Sequence, residues 1–224
     1  MYTQQPRPYY GGPNYGGPTS VSAPALLGQV LGITAVGFLI TAVAAYLFAG
    51  VSYNVGLVAL IGGFVLLFAI NGTRANPGLS LLLFYGFTFL EGVGIAPVIA
   101  SYVGTVGSGV VVEAAATTGA GMLVLALGAF TLSFDFRRLQ GIAFGALLGL
   151  VIVGIISLFV HLIHPSIYSW ATLAVFTLLV LVDFARIRAG GDGLTAVQLA
   201  TSIYLDAINI FLALLRIFGG RARD

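Results

Sequence analysis

Long apolar runs, broken by short turns rich in Gly, Pro or charge, organise almost the whole chain. A helix needs about 20 apolar residues to cross a bilayer, and Gly, Pro and charge clusters mark where such runs stop. The pattern predicts seven spans, at about 24–49, 54–73, 78–103, 111–133, 140–162, 166–186 and 195–218. Pro24 opens the first span and Asn76-Pro77-Gly78 opens the third. The polar stretch 135–138 (DFRR) divides the fourth from the fifth, His164-Pro165 the fifth from the sixth, and 188–193 (RAGGDG) the last two. The fold expected is an all-α integral membrane protein, with a seven-helix transmembrane domain over 23–220.

The last span differs from the others. Gln198, Ser202, Asp206, Asn209 and the small Ala213 recur at steps of three and four, which keeps them on one helical face. A membrane helix turns such a stripe toward protein or water, because lipid satisfies no polar group. The C-terminal helix is therefore expected at the centre of the bundle.

Flanking segments have another character. Residues 1–22 are Tyr/Gly/Pro-rich, repeat GlyGlyPro at 11–13 and 16–18, and cannot bury enough apolar surface to offset their conformational entropy. They are expected to form a disordered tail; they lack the apolar core of a cleavable signal peptide. Residues 221–224 form a short C-terminal tail.

Composition agrees with the pattern and narrows the chemistry. The chain of 224 residues is 59% hydrophobic and 7% charged, against about 25% charged in soluble domains. There is no Cys, which excludes disulfides, thiolate nucleophiles and Cys-ligated metals. All nine basic residues are Arg, and the absence of Lys excludes Schiff-base chemistry. No cofactor and no nucleic-acid partner are expected; the partner is the lipid bilayer, and a monomer is compatible with the sequence.

Arginines also orient the chain. With the N-terminus inside, the inner segments hold Arg7, Arg74, Arg137, Arg138, Arg186 and Arg188, the outer loops hold none, and only Arg216, Arg221 and Arg223 fall outside. A cytoplasmic N-terminus in the cell membrane is the expectation. Glycine is abundant, often as small-x-x-x-small patterns such as Gly141/Gly145/Gly149, which are expected to serve close helix packing.

Three of the seven acids lie within spans: Glu91, Asp183 and Asp206. An ionisable group at the bilayer centre costs about 2.5–3.5 kcal/mol even on lenient scales, so a chain retains one only with a partner or a task. Asp183 lies near the inner end of span 6, from which span 7 runs back, so the two aspartates are expected to face one another. Carboxyls within hydrogen-bond reach cannot both ionise cheaply and share a proton, which makes either a pH-biased element or a static acid pair that only holds the two helices together. Arg74, at the inner end of span 2, either snorkels to the headgroups or folds onto a carboxylate. Glu91 sits mid-way along span 3, followed by Pro97, as a second titrating site or cation ligand. His161 and His164 read as interfacial residues, since zinc needs further ligands.

Three stretches carry a resemblance to a known family. SIYLDAINIFLALLRIFG (202–219), LVDFARI around Asp183 and FLEGVGIAP around Glu91 are similar to motifs of the Bax inhibitor-1, or transmembrane Bax-inhibitor-motif, family. The resemblance covers about residues 24–220. It implies six helices around the C-terminal one, and a pH-sensitive calcium leak gated by an aspartate pair, here Asp183 and Asp206, with those two as candidate calcium ligands and Glu91, Ser202 and Asn209 as the candidate ion path. It further implies that Arg74 latches onto that pair, although its surroundings are less basic than is usual in the family. Asp183 is followed by Phe-Ala instead of a polar pair.

Two other functions compete with a proton-modulated calcium leak. A non-conducting scaffold that regulates partner membrane proteins needs no ion path. An intramembrane aspartyl protease also uses two aspartates, but position 189 is Ala where a Gly-x-Gly-Asp motif needs Gly, and Asp206 lies in no protease-like context. No enzymatic activity is expected.

Overall fold

A computed structural model describes residues 22–132, 135–157, 159–160 and 163–222. The expected N-terminal tail, apart from Ser22, lies outside the described residues, as does His161. Seven helices follow one another: α1 (Ala23–Leu47), α2 (Tyr53–Gly72), α3 (Pro77–Thr105), α4 (Gly109–Thr131), α5 (Phe136–Ser157), α6 (Pro165–Arg188) and α7 (Ala196–Arg221). All seven are long and apolar enough to cross a bilayer. The chain is an all-α membrane protein.

Local chemistry sets the helix ends. Ser52 Oγ accepts from the Val55 N–H, and Asn76 Oδ1 accepts from the Leu79 N–H just ahead of Pro77 at the first helical position. Thr195 and Gln198 form a reciprocal capping box at the start of α7. Each device satisfies N–H groups that a helix start leaves without partners. α5 begins earlier than expected because the Asp135 carboxylate accepts from the Arg137 and Arg138 N–H groups (3.1 and 3.4 Å). The polar stretch that divides α4 from α5 thus supplies the first turn of α5. The short α2–α3 turn is tied by Thr73 and Ser80, whose hydroxyls lie 3.0 Å apart while Ser80 also donates to the Thr73 carbonyl (2.9 Å). The α6–α7 turn holds positive φ at four consecutive residues, Gly190 to Gly193, with Asp192 the only one bearing a side chain. Glycine adopts that backbone without steric cost, so RAGGDG is the composition the reversal requires.

α7 lies at the centre and packs directly against α1, α3, α4 and α6, while α2 rests on α3 and α5 rests on α6 at the periphery. Contacts across the turns gather one end of the bundle. Arg137 pairs with Asp192 (2.8 Å), Arg188 Nη1 donates to the Ala129 and Leu132 carbonyls at the end of α4, and Gln198 donates to Asn71 at the end of α2 (3.1 Å). The turns bearing Arg74, Arg137, Arg138, Arg186 and Arg188 therefore share one end. At the other end Gly219 abuts Tyr102, near the end of α3. α7 runs the full depth as one helix of 26 residues, about 39 Å at the α-helical rise.

Close packing falls on other glycines than the ones the spacing singles out. Gly141, Gly145 and Gly149 have open space where a side chain would stand, because α5 lies at the periphery and packs chiefly on α6. The tight crossings use Gly92, whose added Cβ would stand 2.5 Å from the Thr41 carbonyl on α1, and Gly56, whose added Cβ would stand 2.9 Å from the Gly94 carbonyl on α3. Small residues bring these helix backbones together in lipid. α3 continues through Pro97, which is buried against α2 beside Gly56.

Candidate functional site

The stripe on α7 turns its two sides to different neighbours. Successive residues on a helix are about 100° apart, so Ser202 and Asp206 share a side while Tyr204 faces away from both. Ser202 and Asp206 turn toward α6.

Asp183 lies just over one turn before the end of α6, and Asp206 nearly three turns into α7. Both are buried, at 4% and 5% exposure. The Arg186 guanidinium donates from Nη1 to Asp183 Oδ1 at 2.9 Å, one turn along the same helix. Ser202 brings its hydroxyl alongside the Asp183 carboxyl. Asp206 lies within electrostatic reach of both Asp183 and Arg186. One oxygen of each carboxyl, Asp183 Oδ2 and Asp206 Oδ2, is buried with no hydrogen-bond partner among the described residues. A buried polar atom without a partner costs about 1–3 kcal/mol. Two such atoms on adjacent helices make a concentrated expense.

The guanidinium of this group is Arg186, and Arg74 stands apart from it. Arg74 is exposed in the α2–α3 turn, beyond the end of α2 and therefore above the depth of the carboxyls. The sequence reading counts Arg186 only as an inner charge that sets orientation. The signal for its second role is the i, i+3 spacing from Asp183, which places two side chains on one helical face.

The remaining candidates lie elsewhere along the bundle. Asn209 is half-buried and donates to the Leu205 carbonyl of its own helix (2.8 Å). Glu91 is half-buried in α3, close enough to the Tyr204 hydroxyl to act on it electrostatically. The structure therefore joins Asp183, Asp206, Ser202 and Arg186, and leaves Glu91 on the opposite side of α7. Among the described residues no three His, Asp or Glu side chains cluster as a metal-holding set. Two carboxyls beside a guanidinium fall short of the six to eight oxygens a resident calcium ion takes.

On that opposite side is a polar cluster with no counterpart in the sequence reading. The Tyr204 and Thr41 hydroxyls are 2.6 Å apart, and Thr41 Oγ lies 2.8 Å from the Thr88 carbonyl of α3 and 3.0 Å from the Gly37 carbonyl of α1. Phe38, Phe84 and Phe87 enclose the Tyr204 ring at centroid separations of 5.0, 5.8 and 5.5 Å. One turn of aromatic packing thus ties α1 and α3 to α7.

A cleft of about 380 Å³ opens beside the carboxyl group, between α2 and the first turns of α7. Arg186, Ser202, Thr201, Gln198 and Asn71 supply its polar lining, and Phe64, Phe68 and Leu205 its apolar walls.

Comparison with known proteins agrees with this architecture. Residues 24–223 match the family described as inhibitor of apoptosis-promoting Bax1. An uncharacterized membrane protein of Vibrio cholerae is 30% identical over 174 residues, covering 76% of this chain and 77% of its own. One from Streptococcus pyogenes serotype M1 is 30% identical over 176 residues, covering 75% and 73%. An uncharacterized protein of Helicobacter pylori (strain J99) is 27% identical over 163 residues, covering 72% and 70%. With seven apolar helices, the central one bearing a polar stripe, and a match spanning all of them, the chain belongs to the Bax inhibitor-1 family of membrane proteins.

Proposed function

We propose that this protein is a proton-modulated cation leak, with calcium as the transported ion, and that Asp183 and Asp206 form its titrating element. One observation carries the reading: two buried carboxyls on adjacent helices, each with an oxygen that has no partner among the described residues. A proton shared between those oxygens supplies the missing donor and joins α6 to α7; its loss adds a buried negative charge and removes the joint. Ser202 tunes the Asp183 carboxyl, while Glu91 and Asn209 are further polar groups along the route of a passing ion. Arg186, which already neutralises Asp183, takes the role expected of Arg74. The chemistry needs no nucleophile and no cofactor, in keeping with a transport protein and not an enzyme. The arginine-rich end, with the N-terminus, faces the cytoplasm by the bias of basic residues toward that side of the cell membrane.

The reading is tested by calcium flux into proteoliposomes across pH, for the wild type, Asp183→Asn and Asp206→Asn. A leak gated by the pair gives wild-type flux that varies with pH, and a flattened profile in either variant. Equal, pH-independent flux from all three removes the gating role. A wild type that passes no calcium at any pH points instead to a non-conducting scaffold.

A further inference from the structure

The cleft between α2 and α7 reaches Ser202, beside the carboxyl group, and Arg186 is the charged side chain in its lining. Arg186 lies nearer the α6–α7 turn than Asp183 does, and its side chain is 10% exposed while it lines the cleft. Among the described residues it has one hydrogen bond, from Nη1 to Asp183, although a guanidinium carries five N–H donors. Asn71 and Leu194 at the outer lip are exposed, and Asn71 is held to Gln198 across the gap. Ser202 lies deeper, beside both the cleft and Asp183. Polar side chains thus run from the exposed turns as far as Ser202, and the guanidinium lines the cleft while neither carboxyl does.

We propose that this cleft is the aqueous route from the arginine-rich end to the carboxyl pair, and that Arg186 is its charge filter. A solute moving inward meets the guanidinium first, so small anions approach more readily than small cations. Cations pass only to the extent that Asp183 compensates Arg186. The polar edges of the lining hydrate the route, and the low-dielectric protein around it strengthens the field of one charge there. Arg186 acts here as a specificity-determining residue, a role separate from supporting the Asp183 carboxyl. Which ion the filter restrains rests on the leak reading above; the route and its sign do not.

The chain contains no Cys, so a single introduced thiol reports its surroundings. The probe is Ser202→Cys in proteoliposomes, modified by small anionic or cationic methanethiosulfonate reagents, with Leu194→Cys at the lip as the reference site. The expected result is reaction at both positions, with the anionic-to-cationic rate ratio higher at Ser202→Cys than at Leu194→Cys. Adding Arg186→Gln lowers the ratio at position 202 by roughly tenfold, the effect of one unit charge a few ångströms away, while Arg186→Lys keeps it. Raising salt in the Arg186-containing protein shrinks the ratio as well, an arm that needs no variant at Arg186 should Arg186→Gln fail to fold. Reaction at Leu194→Cys with none at Ser202→Cys overturns the route. A ratio at position 202 that neither salt nor Arg186→Gln moves overturns the filter. The expected labelling in a protein that passes no calcium leaves the vestibule standing and removes the leak.

Discussion

The two sides of α7 carry buried polar groups at nearly the same depth, and they resolve them in opposite ways. Toward α1 and α3, Tyr204 and Thr41 close a network that ends on backbone carbonyls, inside a ring of phenylalanines. Toward α6, Asp183 and Asp206 each keep an oxygen with no partner among the described residues. A satisfied network in a low-dielectric interior rigidifies the helices it joins, and a partly satisfied one is costly. The first side therefore reads as the joint that fixes the bundle, and the second as the place where a proton or a passing ion changes the energy. One helix holds both because its neighbours differ, not because its own sequence changes character.

Variants that break one side should leave the other's property intact. The largest effect is expected for Tyr204→Ala, which empties the aromatic ring and should cost about 3–5 kcal/mol, read from the unfolding midpoint in detergent. The folded fraction should keep the wild-type shape of its flux–pH profile. Next comes Gly92→Val, whose Cβ would stand 2.7 Å from the Ala44 Cβ and on the Thr41 carbonyl. Overpacking of this kind costs about 1–3 kcal/mol, whereas Gly145→Val on open α5 should stay within about 0.5 kcal/mol; equal losses would show that α5 is packed after all.

Asp206→Asn should change stability by less than about 1 kcal/mol, since the amide keeps the volume and brings a donor to a pair whose Oδ2 atoms have no partner among the described residues. A loss as large as that of Tyr204→Ala would mean that the carboxyl side is structural glue, and the contrast between the sides would collapse. The smallest effect is expected for Arg74→Gln. The exposed side chain touches neither network, so unfolding should shift by no more than about 0.5 kcal/mol and the flux–pH profile should be superimposable on the wild type.

Much of the fold is legible in the sequence because a bilayer constrains it so strongly. A run of apolar residues bounded by Asn76-Pro77 or by RAGGDG has few alternatives to a helix that starts or stops there. The polar stripe marks α7 as the interior helix for the same reason. Lateral order is another matter. Gly141/Gly145/Gly149 show the four-residue spacing of close packing, yet it is Gly56, Gly92 and Gly94, without that spacing, that meet the backbone of a neighbouring helix. Which glycine faces a helix depends on which neighbours surround it, and the periodicity of one span does not contain that information.

The aspartates follow the same division. Their sequence context alone marks them as groups that need a partner, and helical spacing puts Ser202 and Asp206 on one side of α7. That Asp183 pairs with Arg186 and not with Arg74, that Tyr204 belongs to a separate closed network, and that a cleft opens beside the carboxyl group are decided by tertiary structure. The reason is physical. The cost of burying a polar group is local and can be counted along the chain, but its relief comes from atoms on other helices or in the next turn, whose positions are set by the packing of the whole bundle.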